Sequence, residues 1–263
     1  MKTIFWLIII GVAVYFYVKW NNKVQKKEQE RIKNLSLEDR LKEKSIYYFI
    51  NSSHTIHPML GSTVYGEDKA DKEYDDLIKE YFTDSLIDAI RTEAIEKLGL
   101  DESELTAITP FHFEEFYFDW EEIEQKFSIW IDMQRTEKFP KKYLVIKRDD
   151  NVLVGFGNDK KLRSSAYQVT WIFPTQKRLS VYQKIFFLHK KDTSEITRMF
   201  VWKHITSMTA GQNSIKSKDK VEKIDCFKII VPGDEFICTM DTSDYTKRAI
   251  QAMKAVWTAN VVE

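Results

Sequence analysis

The chain opens on its longest apolar run: Thr3 to Val18 read TIFWLIIIGVAVYFYV without a charge, closed by Lys2 on one side and Lys19-Trp20 on the other. Such a run predicts a transmembrane helix over residues 1–20, because at ~1.5 Å per residue it spans roughly 30 Å, the thickness of a hydrocarbon core. A cleaved leader fits less well, since bulky residues continue past Gly11-Val12-Ala13 through Tyr15-Phe16-Tyr17. Lys19, Lys23, Lys26, Lys27, Arg31 and Lys33 follow the segment, while Lys2 alone precedes it. That asymmetry places the remainder in the cytoplasm, anchored once in the inner (plasma) membrane. Residues 21–35 form a polar, helix-favouring stalk with few large apolar side chains.

Over residues 36–108 apolar positions recur every three or four residues, the spacing of buried helical faces. Ser36 and Asp39 stand at capping-box spacing ahead of Leu41 and Ile46. Tyr74, Leu77, Ile78, Tyr81 and Phe82 make one stripe, and Leu86, Ile90, Ala94 and Leu98 make another, ended by Gly99 as a C-cap. Two or three packed helices are expected.

Beyond Pro110 the period drops to two, and aromatic and β-branched residues dominate the region 109–263. Strands are predicted over 113–118, 128–133, 143–148, 152–156, 165–173, 179–188, 196–208, 221–231 and 235–240, separated by turn residues such as Pro174-Thr175-Gln176 and Pro232-Gly233. The gaps are too short for crossover helices, so neighbouring strands should pair antiparallel. Ser243-Asp244 then cap a closing helix whose apolar stripe is Ala249, Ile250, Met253, Val256 and Trp257.

Composition narrows the function. A hydrophobic content of 43% supplies a packed core, and 40 basic residues against 40 acidic ones leave no net field to recruit nucleic acid. The two cysteines, Cys226 and Cys238, lie on strands joined through Pro232-Gly233-Asp234. A turn centred on Gly233 and Asp234 puts Cys226 opposite about position 241, which predicts two free thiols, consistent with a reducing compartment.

Short antiparallel strands followed by one amphipathic helix, with Trp257 in that helix, fill about 143–263 and resemble the bacterial branch of the pleckstrin-homology-like domains. The resemblance implies an α+β protein: an N-terminal transmembrane helix, a small helical region, then an antiparallel β-barrel capped by the C-terminal helix. It also implies a place for an anionic headgroup at Lys147 in the first hairpin and at Lys161 and Arg163 beyond it. Asp149 and Asp150 depart from that pattern where an anion would approach, and Lys160, Lys161 and Arg163 read better as a solvated turn.

Candidates for catalysis are sparse. His54 and His57 stand three apart, but no Cys, Asp or Glu follows at ligand spacing before Glu67-Asp68, so no metal is expected. His112 with Glu114 and Glu115 could do acid–base work, although a strand with aromatics inward and acids in water accounts for the same letters. Val154-Gly155-Phe156-Gly157 lacks the third glycine and the following helix of a dinucleotide loop, so no cofactor is expected.

The sequence therefore predicts a single-pass membrane protein that is not an enzyme and whose cytoplasmic domain is an interaction or scaffold module for a protein partner. Two alternatives stand beside it: a membrane-tethered enzyme, metal-dependent if built on His54 and His57, and an anionic-lipid-binding module using Lys147, Lys161 and Arg163.

Overall fold

The computed structural model describes residues 15–20, 22–23, 26–27, 30–31, 34–49, 67–106, 109–120, 152–157, 159, 161–217 and 220–261. The chain divides into two units, Met1–Arg40 and Leu41–Glu263.

In the first unit residues 15–20 are helical, with exposed side chains from Tyr15 to Trp20. Residues 1–14, which hold most of the apolar run, lie outside the described residues. Among the described residues no helix is long and apolar enough to cross a membrane. This corrects the expectation of a single-pass protein, and the inner-membrane placement built on it is withdrawn. The described part of the run, Tyr15 to Val18, is too short to span a hydrocarbon core, and Lys19, Lys23 and Lys26 follow it. At the end of this unit the expected capping box is formed. Ser36 Oγ accepts the Asp39 N–H at 3.1 Å and donates to its carboxylate at 2.6 Å, starting α1 (Leu37–Phe49).

The second unit is α+β, with antiparallel sheets and a C-terminal helix. Helices α2 (Glu67–Tyr81) and α3 (Asp84–Leu98) come first. Thr83 caps α3, and Gly99 (φ 58°) ends it with Leu100 N–H donating to the Ile95 carbonyl, as the stripe over 86–98 predicted. Among the described residues nine strands follow: β1 (Phe111–Phe116), β2 (Val154–Phe156), β3 (Leu162–Ser164), β4 (Ala166–Pro174), β5 (Arg178–Phe187), β6 (Asp192–Val201), β7 (Ser207–Ser217), β8 (Lys220–Val231) and β9 (Asp234–Thr239). Helix α4 (Asp244–Val261) closes the chain.

These strands form three sheets, ordered β1-β4-β5-β6, β2-β3 and β7-β8-β9, and all pairs are antiparallel. Among the described residues no barrel closes, which corrects the expected closed antiparallel barrel. Between β6 and β7 the chain makes a short 3-10 turn at Trp202–His204 and begins a separate sheet. At the opposite edge, β1 pairs with β4 from outside the 143–263 stretch.

The four-stranded sheet is buried on both faces at β4 and β5, while its edge strand β6 is largely exposed. Val169, Trp171 and Phe173 of β4 and Tyr182 and Phe186 of β5 join the helices in one core with Phe49, Tyr74, Phe82, Ile90 and Leu98. The alternate residues Ile172, Leu179 and Val181 join Phe227, Ile229, Ile250 and Met253 in the other. Period-two geometry explains the split, and double-sided burial explains why apolar residues lie on both faces of β4, with Gln168 and Thr170 buried among them. Polar links tie the helices to this sheet. Trp171 Nε1–H donates to the Ile87 carbonyl at 3.3 Å, and Lys184 Nζ donates to Glu93 at 2.7 Å.

The β8–β9 register differs by two positions from the expected one. Val231 faces Asp234 across a turn at Pro232 and Gly233 (φ 81°), so Cys226 pairs with Thr239 and Cys238 with Phe227. The cysteines thus sit one step apart on opposite faces of the sheet, and both are free. Two strands went unforeseen. β3 contains the supposed basic turn at Leu162 and Arg163, and β7 is a polar edge strand with Thr209 to Gln212 exposed, so it carries no alternation to read. The strands predicted over 128–133 and 143–148 lie outside the described residues.

Candidate functional site

Beside β1 lies a cavity of about 430 Å³ lined by Lys79 and Phe82 from the end of α2, His112 and Glu114 of β1, Tyr167 of β4, and Asp241, Ser243 and Tyr245 at the entrance to α4. The strand alternation that sends Phe111 and Phe113 into the second core turns His112 and Glu114 the other way. His112 packs on Trp171 with ring centroids 4.7 Å apart, and Tyr245 stands 6.5 Å beyond it.

The start of α4 fixes Asp241. Thr246 Oγ1–H lies 2.9 Å from both carboxylate oxygens, the Ser243 N–H donates to Oδ1 at 2.8 Å, and Ser243 Oγ caps the helix by accepting the Thr246 N–H at 3.2 Å. Burial works against the Asp241 charge, but these hydrogen bonds outweigh it and hold the carboxyl below its usual range. Glu114 is the opposite case. It has no hydrogen-bond or ion-pair partner among the described residues, and burial, followed by the charges of Asp241 and Asp84, pushes its carboxyl up. Burial likewise pushes the His112 imidazole down, against Asp241, Asp88 and Asp84, and its Nδ1 is buried without a hydrogen-bond partner among the described residues. Two carboxylates in one cavity are therefore driven apart in acidity.

The Glu114 shift has a stability consequence with a definite sign. A carboxyl whose folded pKa exceeds its unfolded value disfavours the fold as pH rises through that folded pKa. Glu114→Gln, which cannot ionise, should match the wild-type urea midpoint at pH 4 and exceed it at pH 8. An equal or lower midpoint at pH 8 would mean that Glu114 is satisfied in the fold.

Of the residues singled out in the sequence, His112 and Glu114 converge here, while Glu115 does not. It lies on the Phe113 side of β1, half-buried, with Oε1 accepting the Phe116 N–H at 2.9 Å, and burial pushes its carboxyl up as well. The expected strand with both acids in water is thus only partly met. Lys147, His54 and His57 lie outside the described residues. Lys161 is exposed, its N–H donating to Asp159 at 3.0 Å.

Arg163 is 1% exposed, and its guanidinium is forked by Asp75 and by Asp159 in four contacts of 2.8 Å. No face of it is left for a headgroup. Gly157 is required by this cluster rather than by a nucleotide. A Cβ there would overlap Arg163 Nη1 and lie 2.6 Å from Asp159 Oδ1 and 2.7 Å from Asp71 Oδ2.

Among the described residues no three His, Cys, Asp or Glu side chains are grouped so as to hold a metal ion. Burial pushes the Cys226 thiol up to about 12 and Cys238 higher still, so neither is a thiolate at neutral pH. Phe82, Tyr167, Asp241 and Tyr245 were missed as site residues because they reach the cavity from distant parts of the chain. The alternation of His112 and Glu114 was the one local signal. No family model, curated protein or solved structure matches the chain.

Proposed function

We propose that the chain is a protein-interaction module whose docking point is the cavity beside β1. The observation that carries this reading is Glu114, a half-buried carboxylate without a partner among the described residues, set between aromatic rings. A desolvated acceptor left open costs free energy in the unliganded fold, and a ligand that donates to it recovers that cost. Rigid placement supports the same reading, because His112 and Glu114 stand on a strand and Asp241 is held by the α4 cap.

The test is a photo-crosslinker, p-benzoylphenylalanine, at the exposed position 79, irradiated in cells that express the protein. One adduct of defined mass should form with the otherwise native chain and disappear when Tyr245→Ala removes a cavity wall. Adduct patterns indifferent to Tyr245 would refute the docking role. The opposed shifts of Glu114 and Asp241 favour one second reading, acid–base catalysis on a molecule held in the cavity. Turnover that is lost in Glu114→Gln while binding persists would select it.

A further inference from the structure

Building on the docking role proposed above, we infer that the cavity receives an arginine side chain presented by the partner protein. Glu114 offers a carboxylate that accepts no hydrogen bond among the described residues, which is the receptor a planar guanidinium fork matches with two parallel N–H···O bonds. Asp241 adds a second negative charge to the lining, and its own hydrogen bonds to Thr246 and Ser243 keep it in place as a fixed charge. Phe82, Tyr167 and Tyr245 supply ring faces, and guanidinium stacks on such faces while being more weakly hydrated than ammonium.

Glu114, Asp241 and the three rings therefore prefer the same group, a flat cation with several donors. Lysine fits less well, because a point charge cannot satisfy both Glu114 oxygens in one plane. The cationic member of the lining, Lys79, is exposed, where solvent and salt screen it. Neutral His112 adds no opposing charge, since burial keeps its imidazole below the usual range. A free small-molecule guanidine shares the chemistry but brings none of the backbone contacts around the rim.

The experiment is selection of a displayed library of random dodecapeptides on the folded chain, run in parallel on Glu114→Gln and Tyr245→Ala, each first checked for native circular dichroism. The expected result is arginine at one fixed position among peptides retained by the wild type. Synthetic versions should bind at least about tenfold more weakly to Glu114→Gln, and equally weakly when that arginine is replaced by citrulline. Free N-acetyl-arginine amide should compete only at far higher concentration than the peptide. If peptides are selected in a Tyr245-dependent way without a shared arginine, the guanidinium assignment falls while the docking role stands. If selection is the same on all three chains, both fall.

Discussion

Arg163→Ala should lower the stability of the protein by about 3 kcal/mol, read as a fall in the urea midpoint at pH 7. The side chain is 2% exposed, and its guanidinium makes four hydrogen bonds to Asp75 on α2 and Asp159 in the β2–β3 turn, with a fifth to the Lys161 carbonyl at 3.4 Å. Asp71, 3% exposed, accepts from Tyr48 Oη at 2.7 Å and from the Asp159 N–H at 3.3 Å beside them. Removing the cation leaves carboxylates facing one another with nothing between them, so the loss exceeds that of a surface ion pair. Arg163→Lys should fall between, because an ammonium cannot fork to two acids.

A pH series separates this account from simple loss of packing. The Arg163 hydrogen bonds hold the Asp159 carboxyl at about 2, below its ordinary 3.8. Its contribution is therefore full above pH 3.8 and disappears as pH falls through about 2. The gap between wild type and Arg163→Ala should narrow over that interval. A variant with an unchanged midpoint that nevertheless loses affinity for anionic vesicles would return Arg163 to the role suggested by its spacing from Lys161.

Trp202→Ala should cost about 4 kcal/mol, the range measured when a buried tryptophan is truncated. Trp202 is 2% exposed in the 3-10 turn that carries the chain from β6 to β7, and it packs in the core that Leu179, Val181, Phe227, Ile229 and Met253 share. Its Nε1–H donates to the Thr175 carbonyl at 2.8 Å. Truncation thus combines a cavity with an orphaned acceptor, and Trp202→Phe, which keeps most of the apolar contact, should isolate the second part at about 1 kcal/mol. Urea unfolding followed by far-ultraviolet circular dichroism measures both. A loss under 1 kcal/mol for the alanine variant would mean that the two sheets do not depend on this joint.

Local pattern was enough where one residue and its near neighbours decide the outcome. The stripe Leu86, Ile90, Ala94 and Leu98 with Gly99 specifies α3, and Ser243 ahead of Ala249, Ile250 and Met253 specifies α4. β4 was legible as a strand because its aromatic and β-branched letters sit between turn residues. β7 was not, since an edge strand with exposed residues needs only its pairing with β8. The membrane placement expected from the apolar run is overturned, since among the described residues no helix is long and apolar enough to cross a bilayer.

The site divides along the same line. Alternation alone put His112 and Glu114 on one side of β1, so that much belonged to the sequence. Asp241, Tyr167 and Phe82 join them only because β1 pairs with β4, α2 ends over that sheet and α4 begins beside it. Arg163 shows the converse. Its letter and spacing advertise a surface cation, yet Asp75, 88 residues away in the chain, takes the charge inward. Helix periods, caps and strand alternation arise from interactions within a few residues, and these the chain declares by itself. Which faces are buried, which charges are paired and which acceptor is left open depend on contacts between distant segments, and tertiary packing alone decided them.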